Sequence, residues 1–239
     1  MKRIYIIIGF VFISLAMMAQ GNKVVWDYPV KPGMEEWNRL KTMEYVYKAC
    51  QIPDKVLQQM NTEELVKVCL NYPILSVLLL FNSFQIGYEN FYANFNGIRE
   101  LMSRKDAGEY LLKMYTNMSL DEYNPLWTLE NRGAFSARYL YLEIILAQPD
   151  VIHSFDENTR KAFLMETEKK FAEKMAREDI FGGASLEVNG WIMARALQAA
   201  NKLPEATRQR MTLYLETGTL EDKSLLEDIY QLTKKINHE

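Results

Sequence analysis

Arg138, Glu143 and Arg195 have the strongest claim to chemistry in this sequence, because each interrupts a stretch that is otherwise apolar. Ala134 to Ala147 is apolar on every side except at Ser136, Arg138 and Glu143, and Trp191 to Ala200 has only Arg195 and Gln198 as strongly polar members. Both stretches predict helices buried all round. A charge on such a helix must be paired or face a cavity, since an isolated buried ion costs several kcal/mol. The three residues are therefore expected to meet, either as an ion cluster that fixes helix register or as the floor of a pocket for an anionic ligand. Arg138 lies five residues before Glu143, off the three- or four-residue step that brings side chains together on a helix, so Arg195 is the expected partner. A hydrolase working through one carboxylate would need a carboxyl with a raised pKa in a cleft, and arginine neighbours push the other way.

The remaining reactive side chains have simpler readings. His153 and His238 are the two histidines. They are far apart, one of them next to the C-terminus, and no strand–turn–helix nucleophile motif surrounds His153. Neither a metal nor a cofactor is expected. Cys50 and Cys69 are the two cysteines. If their helices were antiparallel neighbours, Cys69 would sit about 10 Å along the second one, whereas a disulfide wants Cα atoms within about 7 Å. Two buried free thiols are expected; a disulfide is the alternative if the short helix from Pro53 to Met60 rotates the pair into reach. Gly182-Gly183 reads as a tight turn before a helix, with an anion-binding nest as its alternative. Tyr88, Phe91, Tyr92 and Phe95 share one helical face and read as core, with a sugar-stacking platform as the alternative.

The elements that position these groups follow from periodicity and caps. Trp37, Leu40, Met43, Val46 and Cys50 recur at three- and four-residue steps, which predicts one helix. Asn61 with Glu64, Asp106 with Glu109, Ser119 with Glu122, Ser154 with Glu157, and Thr219 with Asp222 each place an acid three residues after a capping residue. These pairs mark helix starts, and the neighbouring acids serve the helix dipole rather than catalysis. Phe163, Thr167, Phe171 and Met175 predict the inner face of a further helix, with Glu166–Lys170 and Glu173–Arg177 as pairs on its outer face. Pro53, Pro149 and Pro204 each end one helix and open another. Strand alternation is missing, so the expected class is all-α: stacked helical hairpins, as a multihelical bundle or an irregular α-solenoid-like single domain over residues 20–239. Pro29 and Pro32 forbid a helix in residues 20–34, an extended N-terminal arm that should lay Trp26 and Tyr28 on the body.

Composition limits the function classes. The 239 residues carry a formal charge of −3 and are 49% hydrophobic, which excludes an intrinsically disordered chain and the basic footprint of a nucleic-acid binder. Lys2 and Arg3, an apolar run from Ile4 to Met18, and Ala19 predict a secretory signal peptide over residues 1–19 and a mature chain beginning at Gln20, with an uncleaved membrane anchor as the alternative. No later segment is long enough to span a membrane. The protein is expected to be exported, periplasmic or extracellular.

Tyr28-Pro29-Val30-Lys31-Pro32-Gly33, Glu36-Trp37 and Ala49-Cys50-Gln51-Ile52-Pro53 carry a resemblance. So do Thr62-Glu63-Glu64-Leu65-Val66, Cys69-Leu70-Asn71-Tyr72-Pro73, Phe95-Asn96-Gly97-Ile98-Arg99-Glu100-Leu101 and Arg104-Lys105-Asp106-Ala107. Residues 28 to about 112 resemble a group of secreted proteins of gut-dwelling Gram-negative bacteria that has no assigned activity. The resemblance implies export and a helical fold, and it transfers no catalytic residues. The functional expectation is a non-catalytic binding module of the cell envelope or exterior, its partner another envelope protein or a surface glycan. The alternative is an all-helical hydrolase of glycan or peptidoglycan that uses a single carboxylate, with Glu143 as the candidate.

Overall fold

The computed structural model describes residues 26–238. The expected signal peptide therefore lies outside the described residues, as does the start of the arm. Among the described residues, fourteen α-helices and two short 3₁₀ turns follow one another, with no strand. The fold is all-α.

The first half is built from short helices: α1 (Glu35–Asn38), α2 (Met43–Ala49), α3 (Asp54–Gln59), α4 (Thr62–Leu70), α5 (Phe84–Asn94), α6 (Asn96–Ser103) and α7 (Ala107–Asn117). A 3₁₀ turn at Leu75–Leu79 precedes α5 and another at Leu120–Glu122 follows α7. The second half is built on the long helices α8 (Leu129–Leu146), α10 (Glu157–Met175), α11 (Gly183–Ala199) and α14 (Ser224–Asn237). Short helices α9 (Pro149–Ser154), α12 (Glu205–Arg210) and α13 (Thr212–Thr217) link them. Helix α11 is the axle: it packs on α8, α9, α10, α13 and α14, and its residues from Val188 to Leu197 are all buried. Helix α7 joins the halves by packing on α4, α6, α8 and α9. The apolar side chains form one continuous core.

Local chemistry explains most boundaries. Asn61 and Glu64 form a complete capping box on α4: the Glu64 N–H donates to Asn61 Oδ1 at 2.9 Å, and the Asn61 N–H donates to Glu64 Oε2 at 3.2 Å. Pro53, Pro149 and Pro204 stand at the starts of α3, α9 and α12. From Trp26 on, the arm is non-helical and is pinned by Tyr28, which is buried, donates to the Val68 carbonyl and packs against Tyr72 and Phe95. Helix α11 ends in a Schellman motif. Asn201 adopts φ +53°, Lys202 N–H donates to Leu197 O at 2.9 Å, and Asn201 N–H donates to Gln198 O at 3.0 Å. Asparagine tolerates the left-handed region better than other side-chain-bearing residues.

Other boundaries differ from the sequence expectation. The helix read across Trp37 to Cys50 breaks between α1 and α2, because Thr42 takes an extended conformation and caps Tyr45 N–H. Asp106 spends its carboxylate on the Thr62 hydroxyl and caps nothing, although α7 does begin beside it. The cap of α10 is Asp156, while Ser154 bonds back into α9. Helix α14 begins at Ser224, whose N–H and hydroxyl are held by Asp222, so Thr219 is not its cap.

Several helices have their C-terminal carbonyls satisfied by basic side chains from elsewhere. Arg104 donates to Leu57 O and Met60 O at the end of α3, and Arg99 to Tyr92 O and Ala93 O at the end of α5. Lys170 donates to Met118 O, the cap of α7. Arg160 donates to Phe155 O, the cap of α9. The last carbonyls of a helix have no intrahelical donor and carry its negative dipole end, so a cation there is favoured on both counts.

Candidate functional site

Glu143 is buried, with no exposed surface, as its apolar surroundings on α8 require. Its partner is not an arginine. Lys174 of α10 donates to Glu143 Oε1 at 2.6 Å and Oε2 at 2.5 Å, and its third proton reaches Ser185 O at 3.4 Å. Tyr115 of α7 donates its hydroxyl to Oε1 at 2.7 Å. Asn189 of α11 donates to the same oxygen at 3.0 Å and to Tyr115 Oη at 2.7 Å. Four helices thus converge on one carboxylate, and all three ammonium protons of Lys174 are used. Burial pushes the Lys174 ammonium below its ordinary pKa, with the Glu143 charge opposing the shift. Burial and the same charge push the Tyr115 phenol well up.

The expected cluster of Arg138, Glu143 and Arg195 does not form. Arg138 projects to solvent with 61% of its side chain exposed and pairs with Glu122 at 3.6 Å. Five residues, about 500° at 100° per residue, carry it roughly 140° round the helix from Glu143. Arg195 is 9% exposed and lies with its guanidinium 4.0 Å from the Trp191 ring. It donates to Leu215 O at 2.8 Å, Ala147 O at 2.9 Å, Gln85 Oε1 at 3.1 Å and Glu216 O at 3.2 Å. Ala147 is the cap of α8, and Leu215 and Glu216 lie in the last turn of α13, so Arg195 clamps two helix C-termini against α11.

The basic side chains that do the interior pairing are Lys170 and Lys174, 2% and 1% exposed. The sequence pattern puts Lys170 on the outer face of α10 and assigns Lys174 no role. The Glu166–Lys170 pair exists at 3.3 Å, but it turns inward; Arg177 pairs with Asp179 instead of Glu173. The signal was available: Thr167, Phe171 and Lys174 step along one face by four and three, and Lys170 follows Thr167 by three. A face drawn by apolar residues alone omitted them.

The other candidates have plain placements. Cys50 and Cys69 are free and buried, and burial pushes the Cys50 thiol up to about 11 and the Cys69 thiol higher. Tyr88, Phe91 and Phe95 are core, with Phe95 stacked on Tyr72 at 4.2 Å between ring centres, while Tyr92 faces out. Gly182 and Gly183 open α11. His238 is exposed beside Glu168 at 3.5 Å. Among the described residues no group of three His, Cys, Asp or Glu side chains is placed to hold a metal ion. No described helix is long and apolar enough to cross a membrane.

His153, in the last turn of α9, lines a cleft of about 540 Å³ together with Arg195, Gln198, Arg208, Thr212 and Leu215. The Schellman turn at Asn201 forms part of its wall. Glu143 does not line this cleft. The half-buried carboxyl whose pKa burial raises is Glu187 on α11, with Lys223 pulling it back. It too lies outside the cleft. Comparison with family models, with curated proteins and with solved structures finds no match to this chain.

Proposed function

We propose that this is an exported helical protein that works in the periplasm or outside the cell by binding a surface glycan or another envelope protein, without chemistry on its partner. One observation carries the reading: the ionisable groups divide into a sealed set and an open set. Glu143, the carboxylate on which a hydrolase was conceivable, has no exposed surface and accepts from three side chains. A general acid must reach within hydrogen-bond distance of the bond it protonates, and Glu143 has no such route. The open cleft is lined by hydrogen-bonding, cationic and apolar side chains, the mixture that holds a ligand in place.

A second reading, a glycan or peptidoglycan hydrolase, is favoured by Glu187 alone, since a half-buried carboxyl with a raised pKa is what a general acid needs. The test mixes the purified protein with isolated peptidoglycan sacculi and, separately, with capsular polysaccharide. Binding without catalysis predicts protein in the pellet or complex and no new reducing ends. Release of soluble fragments that stops in Glu187→Gln would replace this reading with the second.

A further inference from the structure

We infer that the cleft beside Arg195 is a site for a small organic monocarboxylate with an apolar side. This rests on the binding reading above and names the chemistry recognised. Arg195 is nine-tenths buried, and every acceptor it contacts is a neutral carbonyl or amide oxygen. Those four bonds use its Nε proton, both Nη2 protons and one Nη1 proton, so one Nη1 proton is uncommitted. Two helix C-termini supply partial negative charge, about half an elementary charge each at most. They hold the guanidinium in place, and the Glu89 carboxylate adds attraction from beyond contact, but no carboxylate bonds the guanidinium directly.

The cleft's remaining walls say which anion fits. Pro149, Ile152 and Leu215 offer an apolar side, and Gln198 and Thr212 offer hydrogen-bonding groups. Its volume, about 540 Å³, falls in the range of small-molecule sites. Arg208 lines the same cleft, yet its guanidinium is already engaged by Glu205 through two bonds of 2.7 and 2.8 Å. Glu216 also lines it and repels a second negative charge. One buried cation with a spare donor and an acid nearby select a single carboxylate over a phosphate cluster or a polyanion.

Two sources carry this chemistry, an acidic sugar and a peptide C-terminus, and titrations followed by amide NMR separate them. The probes are glucuronate and N-acetyl-alanyl-alanine; the controls are glucose and the peptide amide. The expected result is saturable shifts at Ala199 to Lys202 with a carboxylate and none with its uncharged control. Dissociation constants of about 1 mM or tighter are expected. Saturation by glucuronate alone assigns an acidic sugar; saturation by the peptide alone assigns a C-terminus. Arg195→Lys keeps the charge but loses the planar fork and should weaken binding by about tenfold or more. Because Arg195 also clamps helices, Arg208→Gln, at an exposed position, is the second variant; it should weaken binding by about two- to fivefold through lost long-range attraction. No saturation by either carboxylate, or equal response to the controls, overturns the inference. If sacculi or polysaccharide still retain the protein, this inference alone has failed. If the protein degrades them, the binding reading has failed.

Discussion

Cys50 and Cys69 share an apolar interior in which a thiolate would be unsolvated, and that one fact governs both their reactivity and their effect on stability. Native protein should leave Ellman's reagent uncoloured at neutral pH, since the thiolate is the nucleophile and neither thiol reaches solvent. Denatured, unreduced protein should titrate two thiols per chain; none would mean a disulfide. The same burial sets a pH dependence. Cys50 is raised from 9.0 to about 11, and Cys69, Tyr28, Tyr72 and Tyr88 are also raised by burial. A group whose folded pKa is raised contributes stability that is fully present below its unfolded pKa and lost as pH rises through the folded one. Lys174 and Arg195, both held below their ordinary ranges by burial, Arg195 at about 10, have the opposite sign and are outnumbered by two thiols and three phenols. Urea midpoints should therefore hold up to about pH 9 and fall by about pH 11. A midpoint that rises over that interval would contradict this account of the interior.

Helix-to-helix fit is tested most sharply at Gly87, inside α5. A Cβ built there would lie 2.1 Å from the backbone oxygen of Leu78 in the preceding 3₁₀ turn. On propensity alone Gly87→Ala should stabilise the helix by about 1 kcal/mol. The contact is with backbone, which cannot swing aside, so the substitution should instead destabilise by about 1–3 kcal/mol in urea unfolding. A stabilised variant would mean the turn and α5 are not packed this closely. The same scale shows what the sequence discloses. Helices α4, α8 and α11 were legible because capping or apolar run-length declares them locally, and the buried state of Glu143 followed from its own helix. The break at Thr42 was not legible, since an unbroken three-and-four pattern runs across it. The partner of Glu143 was not legible either. Which cation arrives depends on how α10 rolls against α8, a tertiary fact, and the long apolar stems of Lys170 and Lys174 let ammonium groups sit on a face that looks amphipathic only in part. Arg195 was correctly placed in the interior, but carbonyls from two other helix ends, invisible in a local reading, took the role assigned to Glu143.

Across the whole molecule, Glu143 is where α7 from the first half meets α8, α10 and α11 from the second. The central claim is that this polar centre locks the two halves together and leaves binding to the surface cleft. A buried pair broken on one side leaves an uncompensated charge, whereas replacing both partners relieves it. The direct measurement is a double-mutant cycle in urea unfolding with Glu143→Gln, Lys174→Met and both together. Each single change should cost about 3–5 kcal/mol, and the double variant should cost clearly less than their sum, with a coupling of about 2 kcal/mol or more. If Glu143→Gln alone leaves stability unchanged or raises it, the carboxylate is a strained functional group rather than a lock, and the claim is contradicted.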